Sequence, residues 1–176
     1  MLKPAVVIVA LACVITFGVV EFTAAAGNTA EQNASSDSRS VIVRDHDGDV
    51  VASLPIPGDS FAVSYRNSIY GTLAEERYIV GPGGDYRLVQ IAADQLAVLE
   101  EYYSVPGPPT LANAGDRRTW VVSPDPGHPA VFDDLSIAAT DLGERTLHVP
   151  GTQPLALWQL VEDNNPFVIL AIKENS

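Results

Sequence analysis

A chain of 176 residues, 47% apolar and 18% charged, has the material for one packed domain and an appendage, which excludes a chain disordered throughout. The net charge is −12, with only two lysines (Lys3 and Lys173) and one adjacent arginine pair (Arg117-Arg118). No basic stripe exists for a phosphate backbone, so neither nucleic acid nor an anionic membrane surface is an expected partner.

The lone cysteine, Cys13, excludes an internal disulfide, a cysteine-built zinc site and a catalytic thiol in the main domain. Residues 1–26 read as an export address. Lys3 is followed by an uncharged run from Pro4 to Val20 and then by Ala24-Ala25-Ala26-Gly27. That pattern fits a signal peptide cut after Ala26, and it also reaches the lower length limit of an uncleaved membrane helix. In either case membrane contact is confined to residues 4–20, and the acidic remainder is extracytoplasmic, secreted or tethered to the cytoplasmic membrane. Residues 27–40 are polar and without periodicity, a flexible linker, and Asn33-Ala34-Ser35 matches a glycosylation acceptor.

The domain is expected over 41–174. Val41 to Arg44 and Val50 to Leu54 flank Asp45-His46-Asp47-Gly48-Asp49, a strand, a turn and a strand. The alternating aspartates also resemble the start of a calcium loop. The glycine is misplaced for one, however, and Ile56 stands where a bidentate glutamate belongs, so the turn is the better reading. Phe61 to Val80 reads as a hairpin and Tyr86 to Ile91 as a strand. Residues 94–102 read as one short helix, with Leu96, Leu99 and Tyr103 on one stripe and Asp94 as its cap. A strand at Thr119 to Val122 lies between two proline-rich loops. Four apolar pieces close the chain: 131–139, 145–149, 154–161 and 167–173. The last, Phe167 to Ile172, is apolar on both faces, as in a strand covered on both sides. Thirteen glycines, thirteen prolines and short runs at this spacing predict a mainly β chain, a single antiparallel β-sandwich or partly open barrel.

The hairpin carries the candidate site. Gly71-Thr72 suits a two-residue type II′ turn, which pairs Asn67 with Glu76, Arg66 with Arg77 and Tyr65 with Tyr78. Phe61, Val63, Tyr65 and Ile69 then share a buried face with Ala74, Tyr78 and Val80, and Asn67 and Glu76 meet among them. A polar pair there forms either a satisfied network or the lining of a pocket. On the opposite face Arg66 and Arg77 are like-charged neighbours, relieved by Glu75 or bridged by an anion. Arg66, Asn67, Ser68, Glu76, Arg77 and Tyr78 are therefore the candidate ligand-binding residues.

The run Arg66-Asn67-Ser68-Ile69-Tyr70-Gly71-Thr72-Leu73-Ala74-Glu75-Glu76-Arg77-Tyr78 resembles the core of a family of unknown function, the DUF family 1850. The resemblance implies a small exported or membrane-tethered β protein associated with TAXI-type TRAP transporters, which import small organic acids. It implies as partner a membrane transporter or its binding protein. The family's motif has His-Ser where this chain has Asn67-Ser68, so proton chemistry at that histidine is unavailable. Gln95 to Glu101 replaces a glycine-containing stretch of the family.

His46, His128 and His148 lie far apart and without ligand spacing, and no nucleotide or dinucleotide fingerprint exists, so no metal and no cofactor are expected. No catalytic motif is present either. The leading expectation is a non-enzymatic accessory or binding module for a small organic anion. The alternatives are a hydrolase-like enzyme using Glu76 with Asn67 or Ser68, and a structural envelope protein.

Overall fold

The computed structural model describes residues 38–102, 107–162 and 164–175. The expected export segment, the glycosylation pattern, Tyr103 and the expected linker as far as residue 37 lie outside the described residues. Ser38–Arg44 is strand β1, so Ser38, Arg39 and Ser40, which composition placed in the linker, are already paired in a sheet.

The first half of the domain continues with β2 (Val50–Ile56), β3 (Ser60–Arg66), β4 (Leu73–Val80) and β5 (Tyr86–Ala93), followed by a π-helical turn (Val98–Tyr102). Shorter strands come next: β6 (Thr110–Leu111), β7 (Trp120–Val122), β8 (Val131–Phe132), β9 (Asp134–Ala138) and β10 (Thr146–His148). Then come β11 (Leu155–Ala156), a 3₁₀ turn (Leu157–Gln159) and the long β12 (Phe167–Asn175).

The chain is mainly β and its sheets are antiparallel. One sheet runs β2-β1-β12-β9. The other runs β11-β10-β3-β4-β5-β7-β6, with β8 also on β5. Neither sheet closes into a barrel. The period-2 alternation of β1, β3, β4 and β12 sends one side chain in two into a common apolar cluster. Val41 and Val43 from β1 and Val168 and Leu170 from β12 meet Phe61 and Val63 from β3, Tyr78 from β4 and Tyr86 from β5 there. A second cluster gathers Tyr65, Ala74, Ile91 and Val122 beneath Val98 and Leu99 of the π-helical turn.

Two local expectations change and a third holds. The helix is shorter than residues 94–102, and Asp94 does not cap it, because its carboxylate accepts from Arg118 instead. Strand β12 is fully covered on one face only: Val168 and Leu170 are sealed, while Phe167 is half-exposed. The Asp45 turn is built as a turn, its carboxylate accepting the amides of Asp47 and Asp49.

The largest correction is the register of the central hairpin. Tyr65 pairs with Ala74, Val63 with Glu76 and Phe61 with Tyr78, a slip of four residues from the expected pairing. The cause is Asn67. Its Oδ1 accepts the amides of Ile69 and Tyr70, and its backbone exchanges bonds with Gly71 and Thr72. An asparagine that satisfies the backbone in this way takes residues 67–70 out of the ladder and leaves a six-residue loop, 67–72. Gly71 still has positive φ, +64°, but inside that loop. Asn67 is buried as expected, as a loop cap rather than as the partner of Glu76. Ile69, expected inward, is 73% exposed at the tip. Because four is even, the faces of β3 and β4 survive the slip. Asn67→Ala leaves two amides without an acceptor and is expected to cost about 1–2 kcal/mol, read from the urea midpoint at constant slope.

Candidate functional site

The outer face of the larger sheet carries the polar cluster. Across β10, β3, β4 and β5 one row reads His148, Ala62, Arg77, Gln90, and the next reads Thr146, Ser64, Glu75, Ala92. Residues directly opposite in a ladder share a face, so these side chains stand together. Over them lies the segment between β6 and β7, which contributes Asp116, Arg117 and Arg118.

Glu75 is fully buried. Its Oε1 accepts Arg77 Nε at 2.7 Å and one Arg117 nitrogen at 2.8 Å, and its Oε2 accepts Arg117 Nε at 3.0 Å. Arg77 also donates to Gln90 and makes a bidentate pair with Asp116 at 2.8 and 2.5 Å. Arg118 reaches Asp94 at 3.1 Å. Three guanidiniums thus face three carboxylates, and the ensemble is neutral. Burial pushes the Glu75 carboxyl up, but the hydrogen bonds from Arg117 and Arg77 outweigh it and hold the group below the usual range. Asp116 is held down to about 2, chiefly by Arg77.

His148 Nε2 and Ser64 Oγ share a hydrogen bond of 2.8 Å whose direction follows the imidazole tautomer. Burial, reinforced by the charge of Arg117, lowers the His148 pKa, so the ring is neutral at neutral pH. Beside this row opens a cleft of about 700 Å³. His148, Arg77, Gln90 and Arg117 line its polar part, and Ile79, Val89, Val149, Pro150 and Pro154 its apolar part. Apolar walls with a few convergent polar groups are the usual make-up of a small-molecule site.

The sequence-predicted residues divide. Arg77 and Tyr78 line the cleft. Glu76 lies on the inner face of β4, accepting the Tyr78 hydroxyl at 2.8 Å, and the residue opposite it is Val63, not Asn67. Ser68 is exposed on the loop. Arg66 pairs with Glu144 at 2.8 Å and stands opposite Leu73, so the expected clash with Arg77 does not arise. The acid–base group of Glu76 with Asn67 or Ser68 is therefore not assembled. Sequence reasoning missed Ser64, Glu75, Gln90, Asp116, Arg117, Arg118 and His148 as site residues. The one signal was local: Asp116-Arg117-Arg118 holds the only adjacent pair of basic residues in an acidic chain.

A second hollow, of about 970 Å³, lies on the other side of Pro150-Gly151-Thr152, among Pro55, Pro57 and Pro82. Its arginine, Arg39, already donates to the Gly81 carbonyl. His128 is exposed beside Asp125 in a loop. Among the described residues no cluster of His, Cys, Asp and Glu is arranged to hold a metal ion, and no helix is long and apolar enough to cross a membrane. Compared with models of known families, with curated proteins and with solved structures, the chain matches none.

Proposed function

We propose that the protein is an extracytoplasmic, non-enzymatic binding module for a small organic anion, an accessory to membrane transport of the TAXI-type TRAP kind, carried on a β-sandwich. The observation that carries this reading is the cleft, where apolar walls converge on Arg117, Arg77 and a neutral His148. An apolar body can be buried against Ile79, Val89 and Pro154 while an anionic group meets guanidinium nitrogen. The export-type N-terminus and the resemblance of residues 66–78 to DUF family 1850 support the setting. A transporter or its binding protein is the partner that setting implies.

A hydrolytic reading has one observation in its favour, the Ser64–His148 hydrogen bond. Ser64 sits within a strand and is 6% exposed, and it is not among the residues lining the cleft. Binding is the better reading.

The test is calorimetric titration of the full chain, in mild detergent, with a panel of mono- and dicarboxylates and sulfonates. Saturable one-to-one binding is expected for part of the panel. It should weaken by at least about tenfold in Ile79→Glu, which sets a carboxylate in the apolar part of the cleft. Failure of every anion to bind overturns the reading. Stoichiometric modification of Ser64 by a fluorophosphonate would favour the hydrolase instead.

A further inference from the structure

Among the described residues, one donor in the charged network has no acceptor. Arg118 Nε is buried without a hydrogen-bond partner, in a side chain only 9% exposed, 3.8 Å from Glu75 Oε2. That oxygen is the one that accepts Arg117 Nε at 3.0 Å. Arg117 is the opposite case. Its side chain is 52% exposed, it lines the cleft, and the hydrogen bonds of its guanidinium go to Glu75. Arg77 is in no position to turn toward a ligand, because Glu75, Gln90 and Asp116 divide its guanidinium among them.

We infer that the cleft takes an apolar monocarboxylate, which Arg117 leaves Glu75 to bind, while Arg118 Nε takes the vacated place on Glu75 Oε2. The inference rests on the reading of the cleft as an organic-anion site. Stripping a buried carboxylate of a partner is ordinarily costly. Here the loss of Arg117's two hydrogen bonds is offset in part on Glu75, which keeps Arg77 on Oε1 and gains one donor unsatisfied in the ligand-free arrangement, and in part by the ligand's carboxylate, which takes over Arg117. Glu75 therefore acts as a resident stand-in for the ligand's carboxylate. The exchange releases one guanidinium and no more, which fixes the ligand's charge at one. Of the other lining residues, Ser60, Gln90 and Thr152 bring no further charge, and Ile79, Val89, Val149 and Pro154 suit a hydrocarbon body. A second carboxylate laid against them would lose its water and find no partner.

The test is titration of the full chain with octanoate, octanedioate and 1-octanol, together with ¹H–¹⁵N spectra of the arginine Nε–H groups. Octanoate is expected to bind at least about tenfold more tightly than either of the other two. Saturating octanoate should shift the Arg118 Nε–H signal and slow its exchange with water. Arg117→Gln should bring octanoate down to the level of octanol. The spectra of the unsubstituted chain decide the matter even where that variant folds poorly. Octanedioate binding as tightly as octanoate, or an Arg118 signal unmoved at saturation, overturns the inference and leaves the organic-anion reading standing. No binding by either carboxylate overturns the inference, and together with failure of every anion in the wider panel it overturns both.

Discussion

Glu75→Ala is expected to lower the unfolding free energy by about 3–5 kcal/mol, the range for removing one partner from a buried ionic network. The carboxylate is fully buried and joins Arg77 of β4 to Arg117 of the segment between β6 and β7, with Arg118 beside it. Its loss leaves three guanidiniums facing only Asp94 and Asp116, and Arg118 is too deeply set to gain water in exchange. Glu75→Gln keeps the shape and one acceptor, and should cost about 1.5–3 kcal/mol, the worth of hydrogen bonds to a charged group. Urea midpoints at pH 7 measure both. A loss below about 1 kcal/mol for the alanine variant would mean that the network contributes little and that Arg117 is free in solution.

The same network sets the response to acid. Glu75 and Asp116 have native pKa values below their unfolded ones, so the stability they supply is complete above the unfolded carboxyl range. It drains as pH falls through the native values, which for Asp116 extends to about 2. His148 is also depressed, by burial first and then by Arg117. The unfolded chain therefore takes up that proton first, and stability begins to fall below about pH 6.5. Two steps are expected in a plot of stability against pH. The gap between the native chain and Glu75→Ala should narrow through the lower one, because protonation removes the same charge that the substitution removes.

Tyr86→Ala should cost a similar 3–5 kcal/mol, for a different reason. Tyr86 is fully buried in β5, and its ring lies 5.1 Å from Phe61, 5.6 Å from Tyr78 and 5.8 Å from Phe132. Its hydroxyl donates to the Leu170 carbonyl of β12 at 2.9 Å, a bond from one sheet to the other. The alanine leaves a cavity the size of a ring between two sheets that cannot collapse onto it. Tyr86→Phe keeps the ring and should cost only about 1–2 kcal/mol, the worth of one buried hydrogen bond. If the two variants proved equally costly, the hydroxyl bridge rather than ring packing would hold the sheets together.

The sequence by itself determined the class of fold and the faces of its strands. Val41 and Val43, Phe61 and Val63, and Val168 and Leu170 alternate with a period of two, and alternation is set by the pleat of the backbone whatever the partner strand. The same alternation put Asn67 on the buried face, although it is buried as the cap of a loop and not as the partner of Glu76. Register was beyond its reach. A slip of four residues preserves every face, so the apolar pattern that endorsed the expected pairing endorses the true one equally well. The choice between them was made by Asn67 Oδ1 and by Arg66, whose backbone N–H is drawn to Gly143 O. The site itself was decided only in three dimensions. Ser64 meets His148 across 84 residues of chain, and Glu75 meets Arg117 across 42. Glu75, placed by its alternation on an exposed face, is buried because a distant loop folds over it. No local pattern encodes that contact. It exists because the order β10-β3-β4-β5 brings four outer faces side by side and leaves one segment the right length to cover them.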